Sequence, residues 1–245
     1  MLNISGNAKM TTPALPRAYR YIFHLKNGDK IELTDLIDEK NGIFAEHMLE
    51  LGGSSSINSF PTFKLSLVMD KIFYDLKKLD WVEVYTAAID GNTPQNWVRI
   101  FNGCILKAKA KFPEGQEKGV LDCVLISQFF KLEVKRLSFD FKSKTFPLKK
   151  FLALLINYAE VKDCEVRLDP EIEQYEFSIP TFSSNMTPLT LFKHFCLVNT
   201  LFYEFLPEGA MNLISLESMI KQLEPDPNGP VLNDENVLSM EINII

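Results

Sequence analysis

"PLKKF" (147–151) and "PLTLF" (188–192) mark the two places where the apolar spacing of this chain changes from every second residue to every third or fourth. After the first, Leu148, Phe151, Leu152, Leu155 and Ala159 fall on one helical stripe; after the second, the apolar residues are Leu191, Phe192, Phe195 and Val198. A proline just inside a helix start suits the first turn, where its missing N–H would have had no partner. Thr187, just before Pro188, has the side-chain oxygen of an N-cap. Each predicted helix precedes two short strands. These are "CEVRL" (164–168) and "YEFSI" (175–179) in the first half, and "LFYEF" (201–205) and "MNLISL" (211–216), around Pro-Glu-Gly-Ala, in the second. The pattern predicts a small α/β region at 143–219 with two helix–strand–strand repeats and both helices on one face of a sheet. Its core candidates are Leu148, Phe151, Leu155, Leu189, Phe192 and Phe195.

Upstream the period is two. "YRYIFHL" (19–25) and "KIEL" (30–33) flank Asn27-Gly28, a hairpin signal. "HMLELGGSSS" (47–56) reads as a strand running into a Gly/Ser loop. "TFKLSLVM" (62–69) puts Phe63, Leu65, Leu67 and Met69 on one face and Lys64 and Ser66 on the other. "WVEVYTA" (81–87), "WVRIFNGCILKAKAKF" (97–112) and "VLDCVLIS" (120–127) continue the alternation, separated by "DGNTPQN" and "PEGQEKG". Several short strands at this spacing indicate a barrel or a sandwich, and the predicted fold class is α+β, mainly an antiparallel β-barrel at 17–142 followed by the α/β region. Residues 1–16 read as a flexible arm. Residues 220–245 read as a Pro/Asp/Asn-rich linker leading to the alternating strand "VLSMEINII" (237–245). Leu238, Met240, Ile242 and Ile244 share one face of that strand and are candidate interface residues, because a lone apolar strand needs the barrel or a neighbouring subunit.

The chemistry-bearing residues are scattered. His24, His47 and His194 stand in separate segments, and no glycine-rich phosphate loop, metalloprotease helix or nucleophile elbow is present. Four cysteines among 245 residues form no C-x-x-C pair, so buried reduced thiols are expected, without a metal site or disulfide framework. The acidic stretch at 224–236 lacks the ligand spacing of a calcium loop and suits a solvated linker. A formal charge of −6 argues against a broad nucleic-acid footprint. No apolar run reaches transmembrane length, and the N-terminal layout is unlike a secretory leader. The lysines of "KAKAKF" (107–112) suit the wet side of a strand and an edge guarded against pairing. Phe129, Phe130, Phe139, Phe141 and Phe146 crowd the junction of the two regions, which suits either a domain seam or a subunit interface. These readings predict a protein that is not an enzyme and needs no cofactor.

The order of segments resembles a known family. Asp80, Val82 and Val84 in "DWVEV", then Phe101, Gly103 and Ile105 in "FNGCI", are similar to the successive strands of tail hub (baseplate hub, or late-control) proteins of long-tailed bacteriophages and related contractile injection systems. "VLDCVLISQFFKL" resembles the strand and crossover that close that family's first barrel, and the two helix–strand segments resemble its next, α/β region. The resemblance implies a structural ring, trimeric by expectation, that joins the tail tube to a spike or fibre and lines the DNA channel. Its partners would be copies of itself, the tail tube protein, the spike or fibre protein and the tape measure, within a virion assembled in the host cytoplasm. No membrane and no sequence-specific nucleic acid is implied. The α/β repeat also resembles the small domains of secretins and TonB-dependent receptors, which implies the alternative of an interaction module in a bacterial envelope complex.

Overall fold

A computed structural model describes residues 16–38, 41, 43, 45–55, 59–70, 79–90, 93–138, 145–178 and 186–223. The first half is one antiparallel sheet of seven strands: β1 (Arg17–Leu25), β2 (Lys30–Ile37), β3 (Met48–Ser54), β4 (Thr62–Asp70), β5 (Leu79–Asp90), β6 (Thr93–Lys111) and β7 (Lys118–Ser127). Their spatial order is β2-β1-β5-β6-β7-β4-β3. The alternation places Tyr21, Phe23, Phe63, Leu65, Leu67, Val82, Val84, Phe101, Leu121 and Leu125 in one core. Gly28, at φ +92°, turns the first hairpin, donating its N–H to the Leu25 carbonyl. Two local expectations change. Pro94 and Gln95 belong to β6 and pair with Ile89 and Ala88, so the strands extend into the stretch "DGNTPQN" that was expected to separate them. The lysine-rich strand β6 is central in the sheet, so Lys107, Lys109 and Lys111 line its wet face and guard no edge.

Ile31 and Leu33 from edge strand β2, and Met48 and Leu51 from edge strand β3, pack against the same core. The sheet therefore curls so that its edges approach. It does not close as a ladder among the described residues. The Asp35 carboxylate on β2, almost fully buried, instead accepts the N–H groups of Glu46 (2.9 Å), His47 (2.8 Å) and Met48 (2.8 Å). Three charge-assisted bonds satisfy donors that a closed ladder would have paired. Among the described residues the sheet is mainly antiparallel, as expected, and curled, with no ladder closing it into the expected barrel.

A Gln128–Phe130 turn and α1 (Lys131–Val134) lead into the second core. It contains β8 (Thr145–Pro147), α2 (Leu148–Ala159), β9 (Glu165–Leu168), α3 (Pro170–Glu173), β10 (Glu176–Ser178), α4 (Pro188–Val198), β11 (Leu201–Phe205), β12 (Ala210–Ser215) and α5 (Leu216–Leu223). Leu148, Phe151, Leu155, Leu189, Phe192 and Phe195 are all buried in it, as the helical stripes predict. Thr187 caps α4 by accepting the Thr190 N–H, with Pro188 in the first turn. Pro147, however, stands outside α2 as its N-cap and ends β8, and Val198 is exposed at the end of α4.

The two halves are not equivalent repeats. β9 runs parallel to β12 in a sheet of order β11-β12-β9, whereas β10 pairs with β8. The cause lies in "DPEIE": Asp169 accepts the Glu171 N–H and Pro170 starts α3, which turns the chain away before β10 can join β9. The secretin-like reading expects a strand pair after the first helix, and among the described residues β9 and β10 do not pair with each other. Helix α5, too short and polar to stand out in the sequence, also makes residues 220–223 helical where a linker was expected. The candidate interface strand 237–245 and most of the N-terminal arm lie outside the described residues.

Candidate assembly surfaces

Neighbouring strands β5 and β6 bring the family-like residues together. Val82 pairs with Gly103 and Val84 with Phe101, and all but the glycine fill the first core. The Phe101 ring stacks on Phe63 (centroids 4.8 Å apart) and folds back over Gly103 of its own strand. A Cβ on Gly103 would lie 2.4 Å from the Phe101 ring and 2.4 Å from the Ile126 carbonyl oxygen. Phe-x-Gly is therefore a packing pair, in which the glycine leaves room for the ring. Ile105 packs against the same core, and Asp80 is half-buried at the start of β5.

The residue between them, Asn102, points to the other face and was not singled out by sequence. It is fully buried. Its N–H donates to the Pro207 carbonyl (2.9 Å), and its Nδ2 donates to the carbonyls of Lys162 (3.2 Å) and Asp163 (2.9 Å). Gly209, at φ +88°, approaches so closely that a Cβ there would sit 2.8 Å from Asn102. Asn102 thus fastens the first sheet to two loops of the second core. Beside it, Phe60 stacks on Phe205 (5.0 Å), Phe205 on Phe129 (5.1 Å), and Phe130 meets Phe60 edge-on (5.7 Å). Phe129, Phe130 and Phe146 are accordingly part of an intramolecular seam or of the second core, while Phe139 and Phe141 lie outside the described residues.

On the outer face of β1, β5 and β6 lies a buried ionic cluster. Glu83 bonds to His24 Nε2 (2.8 Å) and accepts from the Tyr85 hydroxyl (2.8 Å) and Arg99 (3.0 Å), while His24 stacks on Trp81 at 3.4 Å. Burial alone would raise the Glu83 carboxyl's pKa, but the bonds from His24, Tyr85 and Arg99 outweigh it and hold the group below its ordinary value. Burial and the Glu83 charge push the Tyr85 hydroxyl up to about 12. Nearby, the Arg20 guanidinium lies 4.2 Å over the Trp97 ring. Each group is spoken for by a neighbour, so the cluster braces the sheet; it has the chemistry of a structural network.

The remaining candidates stand apart from one another. His47 bonds the Val68 carbonyl, and His194 is exposed on α4. Cys104, Cys123, Cys164 and Cys196 are free, and burial raises the pKa of each thiol, for Cys123 to about 12. Among the described residues no group of three or more His, Cys, Asp or Glu could hold a metal ion, and no helix is long and apolar enough to cross a membrane. Among the described residues the exposed large hydrophobics are spread over both cores, and five of them lie on α4, β11 and α5. Leu197 and Val198 end α4, Phe202 stands on β11, and Leu216 and Ile220 lie one turn apart on α5. The Leu216 N–H donates to the Thr200 carbonyl, which brings these elements together.

No protein-family model matches the chain, and no curated protein matches it. Solved structures do. The 43 kDa tail protein of prophage MuSo2 from Shewanella oneidensis is 10% identical over 80% of this chain and 55% of that one, at a TM-score of 0.50. A chain of the lidded Francisella PdpA–VgrG complex is 10% identical over 87% of this chain and 30% of that one, at 0.51. In the lidless PdpA–VgrG complex the values are 9%, 85%, 37% and 0.52. This chain spans about a third to just over half the length of these neighbours. The chain therefore has a fold found in a phage tail protein and in a VgrG-containing complex, which bears out at the level of fold the resemblance read from β5 and β6.

Proposed function

We propose that this protein is a non-enzymatic structural component of a phage tail or baseplate hub. The observation that carries this reading is the shared fold: a curled seven-stranded sheet followed by a small α/β unit, matched over four-fifths or more of the chain. In the proposed assembly, three chains form a ring that joins the tail tube to a spike or fibre, and the curled sheets line the DNA channel. The unit at 17–142 forms the barrel-like wall and the unit at 143–219 the adaptor, with Asp80, Val82, Val84, Phe101, Gly103 and Ile105 setting the packing of the wall. Its partners are copies of itself, the tail tube protein, the spike or fibre protein and the tape measure, and its place is the virion tail.

Two features support the reading. The net charge of −6 suits a channel that must not hold passing DNA, because phosphates bind basic surfaces. The buried polar groups described above serve packing, and none converges on a space where a substrate could react. Native mass spectrometry of the purified chain tests the proposal: a discrete, closed oligomer of three chains is expected. A monomer at all concentrations, with no incorporation into tails, would remove it.

A further inference from the structure

We infer that the free edge of β9 is an acceptor for this chain's own segment 237–245, which adds there as a fourth strand of the β11-β12-β9 sheet. Among the described residues β9 pairs only with β12. The Glu165 and Asp169 N–H groups donate toward β12, to the carbonyls of Gly209 and Leu213. By the alternation of a strand, Val166 and Leu168 direct their backbone groups to the open side. That side is roofed. Helix α2 overhangs it, leaving a groove of about 440 Å³ lined by Leu152, Ala153 and Ile156 from the helix and by Cys164, Val166 and Leu168 from the strand side, together with Asn157 and the Lys149–Glu173 ion pair. An unpaired edge beside an apolar groove is the arrangement that strand addition satisfies, with main-chain bonds for affinity and alternate side chains for specificity.

The segment "VLSMEINII" fits this site on both faces. Its apolar residues Leu238, Met240, Ile242 and Ile244 recur every second position, as do Cys164, Val166 and Leu168. Its one charge, Glu241, falls on the opposite face, and so does Arg167 of β9, which is exposed beside Glu165 and Glu208. Setting Glu241 opposite Arg167 fixes the rest. Val166 and Leu168 then face Met240 and Ile242 whichever way the strand runs. Cys164 faces Leu238 if the strands are parallel and Ile244 if they are antiparallel. A one-residue slip would turn Glu241 toward the Leu152, Ala153 and Ile156 side of the groove and the apolar residues away from it.

The chain itself delivers the segment. Ser218 donates to Glu171, and the Ser218 N–H to Ser215, which fixes α5 beside α3 at the C-terminal end of β9. From Leu223 the 13 residues 224–236 can span up to about 43–47 Å when extended, ample to return to an edge this near. A tether of that length gives the segment a high effective concentration at its own β9, which favours the intramolecular site over that of a second copy. The inference stands apart from the tail reading, since it concerns how one chain completes its own sheet.

Cysteine trapping in the full chain tests it, with Cys164 as the fixed partner. Leu238→Cys and Ile244→Cys are made singly, with Ser239→Cys and Asn243→Cys as opposite-face controls, and each is oxidised mildly. An intrachain disulfide at 238 or 244, absent from the controls and abolished by Cys164→Ser, is expected. Trapping only between chains, trapping equally at the control positions, or no trapping at any of the four would overturn the proposal. Hydrogen exchange gives an independent reading that survives a poorly folding variant. The Val166 and Leu168 amides should exchange at least about tenfold faster in a chain lacking 237–245 than in the full chain, with Glu165 and Arg167 little changed. Equal exchange at Val166 and Leu168 in the two chains would also overturn it.

Discussion

Replacing Gly103 with alanine adds one methyl group where two immovable neighbours already sit. The new Cβ would be 2.4 Å from the Ile126 carbonyl oxygen and 2.4 Å from the Phe101 ring, about 1 Å inside ordinary contact distance. The carbonyl belongs to β7, whose ladder with β6 holds Ile126 opposite Cys104. The ring is fully buried and stacked on Phe63, so it cannot swing away without opening the core. Relief must come from parting two central strands or forcing Phe101 off its rotamer. Overpacking of this kind costs about 1–3 kcal/mol, and two fixed neighbours place it at the upper end, about 3 kcal/mol. For a chain of this size that lowers Tm by about 6–12 °C. Gly52→Ala is the control, since a Cβ at Gly52 on β3 meets nothing within 4 Å. The assay is urea and thermal unfolding followed by circular dichroism. Adding Phe101→Leu to Gly103→Ala should recover about 1 kcal/mol relative to the sum of the single changes, because a smaller side chain no longer overlies the methyl. If Gly103→Ala melted with Gly52→Ala, the packing reading of Phe-x-Gly would be wrong.

Asn102→Ala removes both carbonyl contacts of the amide and should cost about 2–3 kcal/mol, read as a lower urea midpoint, because the Lys162 and Asp163 carbonyls lose their donor inside the seam. Glu83→Gln should cost about 3 kcal/mol at neutral pH by leaving Arg99 and His24 without their carboxylate. The Glu83 pKa is lowered on folding, so its stabilisation is present above the carboxyl's ordinary 4.5 and is lost as pH falls through the lower, folded value. Thermal melts across that acid range should therefore fall less steeply in Glu83→Gln than in the parent; equal slopes would remove Glu83 from the titration. Phe192→Asp should unfold the second core by burying a charge, measured by loss of cooperative melting, whereas His194→Ala on the exposed face of α4 should leave the melt within about 0.5 kcal/mol.

What the sequence made legible was whatever repeats locally. Phe63, Leu65, Leu67 and Met69 announced β4 by their alternation, and Thr187-Pro188 announced α4 by its capping chemistry. The six core residues of the helical stripes were legible for the same reason. Features that depend on distant partners were not. His24 and Glu83 stand 59 residues apart, and nothing near either one predicts their pairing. Asn102 looks like a polar residue on a strand's wet side until the loops at 162–163 and 207–209 are folded over it. The expected repeat failed because strand pairing is a tertiary choice: β9 took β12 and β10 took β8, although each sequence alone suited a hairpin. Among the described residues the sheet edges meet through Asp35 and not through a ladder, and nothing marks that one buried carboxylate among ordinary acidic residues.

Electron microscopy of the purified protein, and of tail particles containing it, tests the central proposal most directly. Closed rings of three chains are expected, with density for the seven-stranded sheets around a channel between the tail tube and the spike or fibre. Isolated monomers on the grid, together with tails whose hub density cannot hold this fold, would contradict it.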